Sequence, residues 1–144
     1  MKKLPLFLLL GLSLSAFASA GSLEGEYSLA CTQTQINGRS GFVVESYSFE
    51  QTGTFEFTRT WFQDSQCEGE VVALDKEAGT YKLGKDSLNM GMNPQGTVEA
   101  DFTVKGATDL GLLWTSSDQS QVRVARGMKG GLRNTMLSFF IYKK

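Results

Sequence analysis

The sequence predicts an all-β protein, an antiparallel up-and-down β-barrel of about eight to nine strands. Short runs rich in β-branched and aromatic residues recur about every ten residues, and turns rich in Gly, Asn, Asp or Ser separate them. No segment after residue 20 shows a convincing helical period. A barrel of about eight strands is just wide enough to be filled by its own side chains or to hold one small ligand.

Residues 1–20 have the pattern of a secretory signal peptide. A basic start precedes an apolar stretch over residues 4–14, and small residues occupy positions 18–20. We therefore expect cleavage after Ala20, a periplasmic or secreted location, and a single domain over residues 21–144. The apolar stretch is shorter than the roughly 20 residues of a spanning helix, so we expect no membrane span.

Composition argues against several functional classes. Without the predicted signal peptide, 12 basic and 15 acidic residues remain, so the formal charge is −3. Binding of nucleic acid usually requires a clustered basic face instead. Histidine is absent, which removes the commonest general base and the commonest metal ligand. We expect no enzymatic activity, no metal, no cofactor and no nucleic-acid partner, and we expect a monomer.

The strands are predicted in order from the β-rich runs and the turns between them. Turn signals include Asn37-Gly38, residues 51–53 and residues 130–131. The last run is apolar on both faces, which fits pairing with the first strand to close a barrel. The predicted strands are 25–35, 41–51, 53–63, 68–74, 78–84, 96–105, 110–116, 120–127 and 135–143.

Two of these strands alternate apolar and polar residues most clearly. Within residues 54–61, the side chains of Phe55, Phe57 and Trp61 share one face, and polar side chains share the other. Residues 97–104 alternate in the same way. Such strands are typical of antiparallel sheets that have one buried face and one solvated face.

Cys31 and Cys67 are the two cysteines of the chain. In an oxidising compartment such a pair most simply forms one disulfide, which would join the first strand to the corner at residues 62–68. The chain-entropy model assigns a loop of this length about 4 kcal/mol of stabilisation. The chain has no CxxC spacing and no histidine to activate a thiol, so a redox or nucleophilic role has little support.

Arg59 occupies the predicted inward face beside Phe57 and Trp61, where a charge is costly unless it is paired. One interpretation makes it the anchor for an anionic head group of a ligand. The other has it closing the end of the barrel, stacked on Trp61 or paired with Glu45 or Asp64. Both interpretations stay open from the sequence.

The start of the first strand resembles the opening of the lipocalins, which has a glycine, then any residue, then a tryptophan. Gly25 and Tyr27 occupy these positions, with Tyr27 in place of the tryptophan. The resemblance implies that both residues help to close a barrel. It also implies that a late arginine, Arg126 or Arg133, packs over the aromatic ring.

Residues 25–84 also resemble the extracellular domain of the adenomatosis-polyposis-coli-down-regulated Wnt inhibitors. The most specific shared portion is Trp61-Phe62-x-Asp64-x-x-Cys67. This resemblance implies a lipocalin-like barrel and points to lipid binding. No comparable similarity extends over residues 85–144.

Two functional hypotheses follow. The first is an exported protein that holds a small apolar or amphipathic ligand, a fatty acid or lipid, inside the barrel. Its candidate ligand-binding residues are an arginine that would meet a carboxylate and five aromatic residues: Arg59, Phe55, Phe57, Trp61, Phe102 and Trp114. The alternative is a periplasmic inhibitor or protein-interaction module with a filled core, similar to lysozyme inhibitors, whose acidic surface would suit a basic secreted partner.

Overall fold

The computed structural model describes residues 23–87, 92–127 and 137–144. The predicted signal peptide, the predicted turn at residues 130–131 and Arg133 lie outside these ranges. Across the described ranges, no helix has the length and apolar character needed to cross a membrane. These ranges contain nine strands: β1 Gly25–Ser28, β2 Thr32–Ile36, β3 Arg39–Phe49, β4 Thr54–Phe62, β5 Val71–Asp86, β6 Val98–Val104, β7 Ala107–Thr115, β8 Gln121–Ala125 and β9 Tyr142–Lys143.

Eight of the strands close into an antiparallel barrel, which confirms the predicted all-β architecture. Hydrogen bonds link β1, β3, β4, β5, β6, β7, β8 and β9 in that order, and β9 pairs back to β1. The extra strand, β2, pairs with residues 39–43 of β3. On the same edge of β3, β1 pairs with residues 46–49. The arrangement is consistent with a lipocalin-like barrel.

The seam that closes the barrel is short. The two residues of β9 pair with Gln121 and Val122 of β8. On the other side of β9, Lys143 pairs with Ser28 of β1. The ring of Tyr142 is buried and packs in the main core cluster, so this short strand is held by its side chain as well as by its backbone.

β5 differs most from its sequence prediction. One strand, Val71–Asp86, replaces the two strands predicted at 68–74 and 78–84. The charged stretch between those runs stays in the strand because β4 pairs with it along its whole length. On the outer face, Lys76 and Glu56 form an ion pair across the two strands at 2.9 Å.

Two predicted turns are confirmed by their backbone angles. Asn37 and Gly38 connect β2 and β3 with φ angles of 51° and 79°, the conformation that favours Asn-Gly in tight hairpins. Gly53 has a φ angle of 86° between β3 and β4. Its N–H donates to the carbonyl of Glu50 at 3.0 Å. These turns set the registers of the two hairpins.

The interior of one end of the barrel is filled by aromatic side chains. Phe55 and Phe102 meet edge to face, with their ring centroids 5.2 Å apart. Phe49 and Tyr81 have the same relationship at 5.2 Å, and the Tyr81 hydroxyl donates to the carbonyl of Leu23 at 2.9 Å. Edge-to-face packing of this kind adds to the stabilisation that comes from buried apolar area. We call this end the closed end.

The predicted disulfide joins Cys31 to Cys67, with the Cα atoms 5.7 Å apart. It ties the segment between β1 and β2 to the corner that follows β4. The carboxylate of Asp64 organises that corner by accepting hydrogen bonds from the backbone N–H groups of Glu68 and Gly69 at 3.2 and 2.8 Å. These bonds, the one from Glu68 above all, hold the pKa of Asp64 below its usual value.

Candidate functional site

The other end of the barrel interior is lined by charged side chains. Glu45, Arg59 and Asp75 are neighbours across β3, β4 and β5, on the same face as the core residues of those strands. Arg59 and Asp75 line a cavity together with Asp109 of β7 and Arg126, which follows β8. We call this cavity the cup. Its volume is about 630 Å³, and Tyr47, Phe57 and Glu77 also line it.

Glu45 is buried and has two side-chain partners. Arg59 Nε donates to one carboxylate oxygen at 2.6 Å. The hydroxyl of Tyr142 donates to the other at 2.6 Å. The Arg59 guanidinium also lies over the ring of Phe57, 5.2 Å from its centroid. The structure thus realises the interpretation in which Arg59 pairs with Glu45.

Arg126 joins three strands of the barrel. Its Nη1 donates to Glu77 and its Nη2 to Asp109, each at 2.6 Å. The guanidinium lies over the rings of Phe55 and Phe102, at 5.5 and 5.7 Å from their centroids. Burial alone would lower the pKa of Arg126, but the hydrogen bonds to Glu77 and Asp109 raise it overall. The side chain therefore stays charged and separates the cup from the aromatic core.

The cation over the ring of Tyr27, at the closed end, is Lys144 and not the expected Arg126. Lys144 Nζ lies 5.3 Å from the ring centroid, whereas Arg126 is held in the cup by its carboxylate partners. Arg133, the other candidate from the lipocalin resemblance, is outside the described residues. Tyr27 is fully buried, and its hydroxyl donates to the carbonyl of Gln119 at 2.9 Å. These contacts fit the expected barrel-closing role of Tyr27.

Tyr47 and Tyr142 lie at the boundary between the cup and the core. Their rings are perpendicular, with centroids 5.1 Å apart. Burial raises the pKa of Tyr47 well above its usual value. Burial, Tyr47 and Glu45 do the same for Tyr142. Both hydroxyls therefore stay protonated and add no charge to the cup.

Two polar atoms of the cup are buried and have no hydrogen-bond partner among the described residues. One is Asp109 Oδ1, an acceptor, and the other is Arg126 Nε, a donor. The side chain of Asp109 is only 7% exposed. Leaving such groups unsatisfied costs about 1–3 kcal/mol each, so they call for a further partner such as water or a ligand.

The inward carboxylates outnumber the inward arginines. Asp75 accepts a hydrogen bond from Trp61 Nε1 at 2.7 Å and has no arginine partner among the described residues. The charged side chains that face inward at this end of the barrel sum to a formal charge of −2; they are Glu45, Asp75, Glu77, Asp109, Arg59 and Arg126. Glu45 pairs with Arg59 and is not itself in the wall of the cup, and Lys76 at the rim pairs with Glu56 on the outer face. In the described ranges, no group of three or more Asp, Glu or Cys residues is arranged to hold a metal ion.

Five of the six predicted ligand-binding residues face the barrel interior, but they do not form one site. Phe55 and Phe102 belong to the filled core and are 3% and 0% exposed. Phe57 and Arg59 line the cup. Trp61 is buried further along β4. The alternation of β4 was sufficient to place four of these side chains on one face.

Trp114 lies on the outer face of β7. Its neighbour Leu113 packs in the core, whereas Trp114 packs against a separate cluster that contains Leu112 and Leu137. Its indole N–H donates to the carbonyl of Gln95 at 3.1 Å. Because residues on both faces of β7 are apolar, the sequence pattern does not reveal which face is inward. Trp114 therefore does not line the cup.

Sequence reasoning missed Glu77 and Asp109 as residues of the site. Both residues lie just outside the predicted strands 78–84 and 110–116, whereas β5 and β7 include them. With the correct strand bounds, the signal that singled out Arg59, a charged residue on the inward face of a strand, would also have indicated these two. In β7, Asp109 shares its face with Gly111 and Leu113, and Leu113 is buried in the core. Comparison of the chain with protein-family models, curated proteins and solved structures finds no match.

Proposed function

We propose that the protein is an exported small-molecule-binding barrel and that the cup holds a compact amphipathic ligand. The observation that carries this proposal is the cup itself. Its volume of about 630 Å³ lies in the range of roughly 300–1,000 Å³ that is typical of small-molecule sites. The rings of Tyr47 and Phe57 offer apolar surface beside unpartnered polar atoms of Asp109 and Arg126.

The filled core limits the apolar part of the ligand. A small cavity at the closed end, lined in part by Leu23 and Val98, has a volume of only about 140 Å³. A long acyl chain that reached it from the cup would have to displace Phe55 and Phe102 from their packed positions. Disrupting buried aromatic packing costs several kcal/mol, on the order of 3–5 for complete loss of a ring. The geometry thus favours a ligand whose apolar part is short over a long-chain fatty acid.

Export is supported by two features. The pattern of residues 1–20 is that of a signal peptide, and the Cys31–Cys67 disulfide is compatible with an extracellular or periplasmic location. The local similarity of residues 25–84 to the Wnt-inhibitor extracellular domain adds support for a ligand inside the barrel. It does not specify which residues bind that ligand.

Native mass spectrometry of the mature protein, purified from cells that export it, tests the proposal. We expect a stoichiometric small adduct that solvent extraction releases. Phe57→Trp, which adds volume at the wall of the cup, should abolish the adduct. Phe62→Trp, on the opposite face of the same strand, is the matched control and should retain it. A clean apo mass for the natural protein, with no uptake of small amphiphiles on titration, would overturn the proposal.

A protein-interaction module is the second candidate, and β5 is the observation that favours it. Residues 71–78 pair with β4, and no strand among the described residues pairs with their other edge. Val71, Val72 and Leu74 are 51%, 48% and 60% exposed there. An exposed strand edge with apolar side chains is a ready surface for a partner. Binding and inhibition assays against a panel of secreted enzymes, lysozymes first, test this candidate, and uniformly negative results would remove it.

A further inference from the structure

We infer that the ligand of the cup carries a positive charge, so that the site accepts an organic ammonium ion in preference to a carboxylate. This inference rests on the proposed function, because it specifies the ligand of the same cavity. Its first support is the formal charge of −2 carried by the inward-facing side chains at this end of the barrel, of which the carboxylates of Asp75, Glu77 and Asp109 line the cup itself.

Both inward arginines are already neutralised by partners in the barrel. Arg59 pairs with Glu45, and Arg126 is shared by Glu77 and Asp109. A ligand carboxylate would have to compete with these buried pairs. It would also meet the three carboxylates that line the cup, in a site that is partly shielded from water, where charge repulsion is stronger than in bulk solvent.

The second support is the buried carboxylate of Asp109. Its side chain is 7% exposed and lines the cup, and Arg126 donates only to its Oδ2, which leaves Oδ1 without a donor among the described residues. An ammonium group carries N–H donors and no acceptor, whereas a carboxylate has no donor to offer. A ligand cation therefore provides the missing partner of Asp109.

Two other groups at the cup do not reverse this preference. Arg126 Nε is an unpartnered donor, but it belongs to a guanidinium that already faces two carboxylates, and a ligand hydroxyl can satisfy it. Lys76 lies at the rim. Its ammonium group pairs with Glu56 at 2.9 Å on the outer face of the sheet, so it does not neutralise the interior.

Three amphiphiles with the same hydrocarbon chain test the inference: octylammonium, octanoate and octanol. Isothermal titration calorimetry of the mature protein at neutral pH should give at least about tenfold tighter binding for octylammonium than for octanoate, which is about 1.4 kcal/mol. Octanol should lie between them. Added salt should narrow the difference, because it screens the carboxylates at the mouth of the cup.

Variants at the mouth of the cup test whether its carboxylates cause the preference for octylammonium. Asp75→Asn combined with Glu77→Gln should remove most of the preference for octylammonium. Glu26→Gln removes an exposed carboxylate from the outer face of β1, away from the cup, and should leave the preference unchanged. Circular dichroism verifies that each variant is folded, and the ligand series on the natural protein decides the inference even where a variant does not fold.

The outcomes separate the inference from the proposed function. Octanoate or octanol binding as tightly as octylammonium would overturn the inference and leave a small-molecule site in place. Failure of all three amphiphiles to bind would count against the proposed function, and the inference would fall with it. An unchanged preference in the Asp75→Asn, Glu77→Gln variant would also overturn the assignment of the cation to the cup.

Discussion

The hydroxyl of Tyr142 donates a 2.6 Å hydrogen bond to the carboxylate of Glu45, across 97 positions of the chain. This bond links β9, a strand of two residues, to the middle of β3. It lies inside the barrel, where the backbone seam between β1 and β9 is short. The side chains of Tyr142 and Glu45 therefore contribute to closing the barrel.

Tyr142→Phe should lower the free energy of unfolding by about 1.5–3 kcal/mol, because it leaves a buried carboxylate oxygen without its donor. Urea unfolding measures the loss as a lower midpoint with an unchanged slope. Tyr27→Phe is the matched control, since the Tyr27 hydroxyl donates to a neutral carbonyl of Gln119. Its cost should be about 0.5–1.5 kcal/mol. A Tyr142→Phe variant as stable as the natural protein would show that Glu45 does not need this bond.

Alkaline pH should unfold the protein through its buried tyrosines. Burial raises the pKa of Tyr47, Tyr81 and Tyr142, so the folded protein favours the protonated phenol. The unfolded chain ionises near the usual tyrosine pKa of about 10. The contribution of these groups is therefore fully present below about pH 10 and is lost as the pH rises further.

Tyrosinate absorbance and near-ultraviolet circular dichroism, recorded over the same alkaline titration, check this expectation. Most of the tyrosinate signal should appear together with the loss of the native dichroism, because three of the four tyrosines are affected. Full ionisation of all four tyrosines while the native dichroism persists would contradict it.

Arg126→Met should destabilise the barrel strongly. The substitution leaves the carboxylate of Asp109 buried without its ionic partner, and breaking a buried pair costs about 3–5 kcal/mol. Lys76→Met is the matched control, because Lys76 forms an exposed pair with Glu56 and such pairs contribute about 0–1 kcal/mol. Thermal and urea unfolding compare the two variants, and equal stabilities would refute a structural role for the Arg126 network.

Removal of the disulfide should weaken the protein without abolishing its fold. Cys31 and Cys67 lie outside the aromatic core clusters, so the double substitution of both by serine leaves the packed interior intact. We expect a loss of about 2–4 kcal/mol. Urea unfolding of the natural protein with and without reductant provides an independent measurement. A variant that is unfolded in the absence of denaturant would contradict the expectation.

Local sequence patterns were sufficient to predict which side chains of β4 line the inside of the barrel. Phe55, Phe57 and Trp61 could be placed on one face because the alternation of β4 is regular. The pairing of Arg59 with Glu45 was among the predicted alternatives, and the register of the β3–β4 hairpin places the two residues opposite each other. The disulfide followed from the cysteine count together with the predicted export to an oxidising compartment.

The rest of the cup depends on contacts that no local pattern encodes. Arg126, Glu77 and Asp109 come from three separate strands or their ends, and they meet only through the combined registers of the sheet. The length of β5 was also hidden, because its charged middle resembles a turn when its pairing with β4 is unknown. The outward position of Trp114 was hidden by the apolar residues on both faces of β7.

The short seam between Ser28 and Lys143 has a consequence for biosynthesis. A chain that emerges from the ribosome or crosses a membrane with its amino terminus first cannot complete the barrel until Tyr142 and Lys143 have emerged. Until then, the edges of β1 and β8 are unpaired, and such edges promote aggregation. The nascent chain must therefore be kept from self-association until Tyr142 and Lys143 have emerged, and a chain that lacks these two residues would form an open, aggregation-prone sheet.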